Sequence, residues 1–228
     1  MGLDQLGTVL MIWAHPDDET YLAGGASTLL TDTGQRVVCI TATRGEVGGD
    51  AQVRTVELEA ALEVLGVSEH HWLDYPDGGC ADVDADEAVT RIRTIVDEVR
   101  PDTVLTFGPD GFTGHPDHQT VSAWADHALE GHHARLLHAV SRDRVVDQAL
   151  DEEFAVYEFG RPRVCADDEL DLLLELEGAT LDRKVKALLL QKSQTGPLVD
   201  AVGLERFRAW VADEAFARPE ASVSHRLR

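Results

Sequence analysis

Hydrophobic positions along this chain fall into short runs of strand length, separated by longer stretches where they recur every three or four residues. TVLMIWA (8–14) is apolar throughout, the pattern of a strand buried on both faces of a sheet. RVVCITAT (36–43) is a second buried strand, HHWLDYP (70–76) a shorter third, and DTVLTFG (102–108) a fourth. RLLHAV (135–140) and FAVYEF (154–159) extend the series. Helical spacing fills the intervals: 20–33, then 53–67 with Val53, Val56, Ala60, Leu62 and Leu65 and a stop at Gly66. A third helix covers 84–99, with Asp84 as N-cap, Glu87 completing a capping box and Pro101 beyond its end. A fourth lies near 117–130. After an acidic stretch at 165–181, further helices are expected near 182–194 and over 204–216.

Strands alternating with helices of this length predict βαβ units, hence an α/β fold with a mostly parallel, doubly wound sheet in the order 3-2-1-4-5. No repeat, low-complexity linker or composition break divides the chain, so one domain over 1–228 is expected, with a frayed tail at 219–228.

Charge narrows the partners. The formal net charge is −22, so nucleic acid and anionic membranes would be repelled. The longest apolar stretch is far short of the ~18 residues of a membrane span. The opening MGLDQLGTVL lacks a basic segment followed by a cleavage site, and Leu6 breaks the myristoylation pattern; a cytoplasmic location is the expectation. Cys39, Cys80 and Cys165 form an odd set without a CxxC pair, which points to neither a disulfide framework nor a cysteine zinc site.

The candidate chemistry lies where apolar runs end in acids. The first strand leads into AHPDDET (14–20), the fourth into GPDGFTGHPDH (108–118). In the expected strand order both lie beyond the carboxyl ends of neighbouring strands, at the switch point where open α/β sheets bind ligands. Pro16 and Pro116 suit the first position of a helix. His15 and Asp18 are three apart and share a face, as do His115 and His118. Histidine and carboxylate are zinc ligands, and a catalytic zinc takes three protein ligands. His15, Asp18 and one of the two later histidines make such a set, leaving Asp17 placed as a general base. A single His-Pro-Asp after a strand is ordinarily a capped helix start; two at one sheet mouth favour a metal. Two histidines with a carboxylate also suit non-haem iron. A nucleotide-binding module is disfavoured, because HPDDET puts carboxylates where phosphate needs backbone amides, and GxGxxG is absent.

These segments, together with TATRGEVGG (41–49), RTVELEAALEVLGV (54–67), LDYPDG (73–78) and PDTVLTFGPDGFTGHPDH (101–118), resemble the PIG-L/LmbE family of metal-dependent de-N-acetylases, well over 8–125 and loosely beyond. The resemblance implies a Rossmann-like three-layer α/β/α fold and, usually, zinc, with Fe2+ or another divalent metal as the alternative. It implies hydrolysis of an N-acetyl group from an amino-sugar conjugate, or of an acylated antibiotic or thiol conjugate by the same site. Carried over, His15, Asp18 and His118 are metal ligands and Asp17 is the general base. His115 stabilises the tetrahedral intermediate or protonates the leaving amine, and Asp117 orients it. Arg54 and Asp77 hold sugar hydroxyls. The partner is a small N-acetylated sugar conjugate; a homo-oligomer is left open. Two positions depart from the family pattern: Thr113, where some relatives carry Tyr, and Gln191, where many carry His. His70, His71, His127, His132, His133 and His138 match no motif and are expected to be surface or packing residues.

Overall fold

The computed structural model describes residues 1–142, 154 and 156–220. Its first half follows the hydrophobic pattern closely. Strand β1 (Val9–Trp13) leads into helix α1 (Asp18–Asp32), β2 (Val37–Thr43) into α2 (Ala51–Leu65), and β3 (Glu69–Tyr75) into α3 (Ala85–Val99). Strand β4 (Thr103–Phe107) is followed by α4 (Pro116–Ala128) and β5 (Arg135–Arg142). Every residue of β1, β2 and β4 is buried, as expected of strands covered on both faces. Gly66 closes α2 in the left-handed conformation at φ 81°.

The sheet order is β3-β2-β1-β4-β5, all parallel, as the alternation predicts. Beyond β5 the sheet continues antiparallel through β8 (Asp213–Ala217) to β7 (Leu172–Glu175), while the short β6 (Val164–Cys165) pairs with the end of β5. Strand order reverses at β1, and right-handed crossovers therefore send helices to opposite faces on either side of it. Accordingly α1 and α2 pack with α5 (Gly178–Leu190), and α3 packs with α4. The fold is the expected three-layer α/β/α. Among the described residues no helix is long and apolar enough to cross a membrane.

The second half departs from the pattern in four places. The helix expected over 204–216 stops early: α7 spans Leu204–Trp210, and DEAFA is β8. Those five residues have helical composition, but β5 offers an open edge, and Ala215, Phe216 and Ala217 are buried against it. With β8 on that edge, FAVYEF finds no place in the sheet. Residues 156–159 are turn and bend instead of strand, Phe159 is exposed, and 155 lies outside the described residues. The helix expected near 182–194 is two: α5 ends at Leu190, and α6 (Lys192–Val202) restarts after Gln191. The acidic stretch 165–181 holds β7 and the start of α5. Of the expected frayed tail, 221–228 lies outside the described residues, while Glu220 pairs with Arg163 at 3.0 Å.

Two caps also differ in detail. Asp84 accepts the Glu87 N–H at 3.1 Å, but the Glu87 carboxylate accepts from the Tyr75 hydroxyl at 2.7 Å, so the capping box is half formed. Helix α1 begins at Asp18 with Asp17 as N-cap, which leaves Pro16 outside the helix; Pro116 does occupy the first turn of α4.

Candidate metal centre

The ends of β1 and β4 are neighbours, so HPDDE and GHPDH meet at one mouth of the sheet. His15 Nδ1 lies 3.0 Å from His118 Nε2. Asp18 stands beside both, with Oδ1 3.5 Å from His118 Nε2 and Oδ2 3.8 Å from His15 Nδ1. Ligand atoms around a tetrahedral ion with bonds of about 2.0 Å are about 3.3 Å apart, so these separations suit one shared cation. His115 joins His15 and His118 in a group whose nitrogens all lie within 4.8 Å, and a second group, His15–Asp77–Asp117, shares His15.

Hydrogen bonding on the outer side of each ring decides which nitrogens are free. His118 Nδ1 lies 2.9 Å from the Gly111 carbonyl, which can only accept, so Nδ1 carries the proton and Nε2 is a lone pair. His15 Nε2 lies 2.9 Å from Asp77 Oδ1 and 3.1 Å from Asp117 Oδ2, so it too donates outward. Two lone pairs would then face each other at 3.0 Å unless a positive charge sits between them. Without a metal, that charge is a proton on His15. Burial alone would lower its pKa, but Asp117, Asp77 and Asp18 lift it to about 10. His118 is instead pushed down to about 4, first by burial and then by the neighbouring His15, against the pull of Asp18. A divalent cation would meet the same demand, with two nitrogens and a carboxylate that suit zinc or iron. Carboxylates on the far side of a ligating imidazole are the usual outer support of such sites.

The structure places the two outer aspartates against His15. Asp117 was expected to orient His115; its carboxylate instead touches His15 and accepts the Gly78 and Cys80 amides at 2.7 and 3.1 Å. Among the described residues His115 receives the Asp117 backbone N–H on Nδ1, at 3.2 Å, as the N-cap of α4. Asp77 was expected at sugar hydroxyls. Its side chain is 6% exposed and divided between His15 and the Val47 amide at 2.8 Å. Burial opposes ionisation of Asp77, but His15 and that amide hold its carboxyl at about 2.

Asp17 lies at the edge of the cluster with its carboxylate 3.6 Å from Arg54 Nη2. Burial and the adjacent Asp18 push its pKa well up, and Arg54 opposes them. Arg54 is 4% exposed and donates to the carbonyls of Gly45 at 2.9 Å and Pro16 at 2.5 Å. Expected at sugar hydroxyls, Arg54 is instead enclosed, with its guanidinium held by two main-chain carbonyls beside Asp17. Gly45, at φ 69°, is required here: a Cβ would lie 2.1 Å from Arg54 Nη1.

One supporting residue went unassigned in the sequence. Glu19 is fully buried; its carboxylate accepts the Asp17 N–H at 3.0 Å, the Thr20 hydroxyl at 2.5 Å and Gln191 Nε2 at 2.7 Å. Burial raises its pKa to about 6, against those hydrogen bonds. The signal was the departure at Gln191, which marks the far partner of this network. Phe107, the last residue of β4, stacks on His118 at 4.2 Å, and Thr113 Oγ1 lies 3.4 Å from His118 Nδ1. Of the remaining histidines, His70 bonds to Thr41, His127 to Glu130 and His138 to Asp126, each at 2.9 Å.

Residues 10–129 match the family model described as PIG-L, GlcNAc-PI de-N-acetylase. A 1D-myo-inositol 2-acetamido-2-deoxy-alpha-D-glucopyranoside deacetylase of Corynebacterium glutamicum is 30% identical, over 95% of this chain and 80% of that protein. The protein of the same name from Kineococcus radiotolerans is 36% identical over 52% of this chain, a match spanning only 44% of its own length. Among solved structures, the N,N'-diacetylchitobiose deacetylase of Pyrococcus horikoshii superposes with a TM-score of 0.63 at 20% identity, over 94% of this chain and 84% of that one. At that identity the likeness speaks for the fold. A family match covering more than half of the chain, on the segments that build the cluster, shows that this chain belongs to the PIG-L family.

Proposed function

We propose that this protein is a zinc-dependent hydrolase that removes an N-acyl group from an amino-sugar-containing small molecule. The observation that carries the reading is the convergence of His15 Nδ1, His118 Nε2 and the Asp18 carboxylate on one point, with a second carboxylate, Asp17, left over beside it. The names of the relatives, deacetylases of N-acetylglucosaminyl compounds, support the substrate class.

In this reading His15, Asp18 and His118 hold the metal, with Fe2+ as the alternative to zinc. The metal would supply Lewis acidity toward the amide carbonyl and lower the pKa of a bound water toward ~7. Asp17 accepts the proton of the attacking water, and its raised proton affinity suits a base that must take one up near neutral pH. Arg54 keeps the Asp17 carboxylate aimed and limits that rise. His115, half-buried beside both metal-binding imidazoles, donates to the developing oxyanion or to the departing amine. Asp77 and Asp117 act through His15, fixing its tautomer and raising its basicity.

The test is an amine-release screen over N-acetylated amino sugars with metal-loaded protein, together with zinc titrations of two variants. His118→Ala is expected to bind zinc far more weakly. His115→Ala is expected to bind it as the parent does and to lose roughly 10²–10³-fold in kcat, the scale of one oxyanion donor. Exchanged outcomes would exchange the two roles. Release from no sugar by the zinc-replete parent would remove the substrate class.

A further inference from the structure

Beside the metal centre lies a cavity of about 210 Å³ that the chemistry above does not use. Asp18 and His118 form part of its wall; Asp17, Arg54, His115, Asp77 and Asp117 do not. It extends under the 112–113 loop toward β5 and β8, and its lining includes Leu22, Phe107, Phe112, Val140, Val156 and Trp210. We infer that this cavity receives the acyl half of the substrate, and that this half is an apolar chain of about six to eight carbons rather than acetyl alone. The inference rests on the hydrolysis proposed above.

Three observations carry it. The first is position. A carbonyl at the metal has two substituents; Asp17, Arg54, His115, Asp77 and Asp117 are absent from the cavity wall, so the cavity takes the substituent they do not face. The second is polarity. Beyond the hydroxyls of Tyr21, Thr113, Ser141 and Tyr157 the wall is mostly Leu, Phe, Val, Ala and Trp, so a sugar buried there would leave several of its hydroxyls without partners, which is unfavourable. The charged groups that do line the cavity are already engaged within the protein. Arg142 is bonded to Asp167, Glu175 and Asp213, and Glu214 to Lys184 and to the Gly25 and Ala26 amides. The third is size. A dry apolar cavity of ~150 Å³ holds benzene, and at ~30 Å³ per water-sized group this one takes roughly seven methylene-sized groups. An acetyl methyl would leave most of it empty.

The test uses the zinc-loaded protein and methyl glycosides of glucosamine bearing N-acetyl, N-butanoyl, N-hexanoyl or N-octanoyl groups. It also uses the octyl glycoside of N-acetylglucosamine, and octanoate against acetate in a calorimetric binding assay. We expect kcat/KM to rise at least about tenfold from acetyl to octanoyl, as burial of added methylenes requires, and octanoate to bind more tightly than acetate. Leu22→Trp, which narrows the cavity, should flatten the dependence on chain length. Trp210→Ala, which widens it, should move the optimum to longer chains; two opposite shifts cannot both come from impaired folding. A flat profile in the parent with no preference for octanoate would overturn the inference and leave the hydrolase reading standing. A gain confined to the octyl glycoside would also overturn it, because the cavity would then hold the aglycone. If no substrate released amine while octanoate bound and Leu22→Trp abolished that binding, the cavity would stand as a chain site and the hydrolysis would fall.

Discussion

Asp17 adopts φ 112°, a region that an L-residue occupies only when its surroundings hold it there. Its N–H is bound by Glu19, and its carbonyl accepts the Thr20 and Tyr21 amides at 2.9 Å. Arg54 grips the preceding carbonyl at Pro16. This strain explains the run of three acids. Asp18 faces the histidines, Asp17 stands beside Asp18 within reach of Arg54, and Glu19 turns back to hold the Asp17 amide. Asp17→Asn should therefore fold and bind zinc as the parent does, yet lose roughly 10²–10⁴-fold in rate. Metal analysis alongside kinetics decides the matter, since a variant purified without metal would make Asp17 a ligand. Residue types and spacing were enough to nominate His15, Asp17, Asp18 and one of His115 and His118 as one cluster; only the family resemblance pointed to His118. They could not show that Asp77 and Asp117 serve His15, because that depends on where the loops after β3 and β4 bring their carboxylates in space. Nor could they show that Arg54 is buried, because α2 has apolar residues on more than one face: Val53 and Val56 are exposed while Arg54 is enclosed.

At the scale of elements, the reading succeeded where local chemistry sets the boundary. Helix α2 stops at Gly66 as the pattern predicts; its start, expected at residue 53, is set at Ala51 by the N-cap Asp50, whose carboxylate accepts the Gln52 and Val53 amides at 2.9 and 3.0 Å. Asp50→Ala should cost about 1 kcal/mol in urea unfolding, the usual value of an N-cap. Gly66→Ala should cost more than ~1 kcal/mol, because its φ of 81° disfavours a side chain and a Cβ would lie 2.7 Å from Thr31 Oγ1. A Gly66→Ala protein as stable as its parent would show that the end of α2 can rearrange freely. The failures have the opposite cause. Strand β8 exists because β5 has an edge to fill from a segment about 75 residues later in the chain. FAVYEF reads as a strand until that edge is taken. The parallel strands β1–β5, separated by helices, were legible; the antiparallel extension was decided by partners far away in sequence.

For the whole molecule, the acidic charge makes one buried cation conspicuous. Lys184 of α5 and Glu214 of β8 are both fully buried, with Nζ 2.8 Å from Oε1. Glu214 also accepts the Gly25 and Ala26 amides of α1, at 2.6 and 2.8 Å. The pair thus ties the helical layer over β1 to the antiparallel end of the sheet, and α1 is the helix that carries Asp18. Burying two charges costs several kcal/mol per ion, and their attraction recovers this only while both are present. Lys184→Met should therefore lose about 3–5 kcal/mol of stability, because it strands the Glu214 carboxylate. Glu214→Gln keeps an acceptor for the helix amides but removes the charge. The double variant Lys184→Met, Glu214→Gln should accordingly be more stable than Lys184→Met alone, although it carries one more change. Urea unfolding of the parent, both single variants and the double closes the cycle. If the two losses simply add, the charges are not coupled, and the link between α1, α5 and β8 rests on packing and on the amide bonds to Glu214.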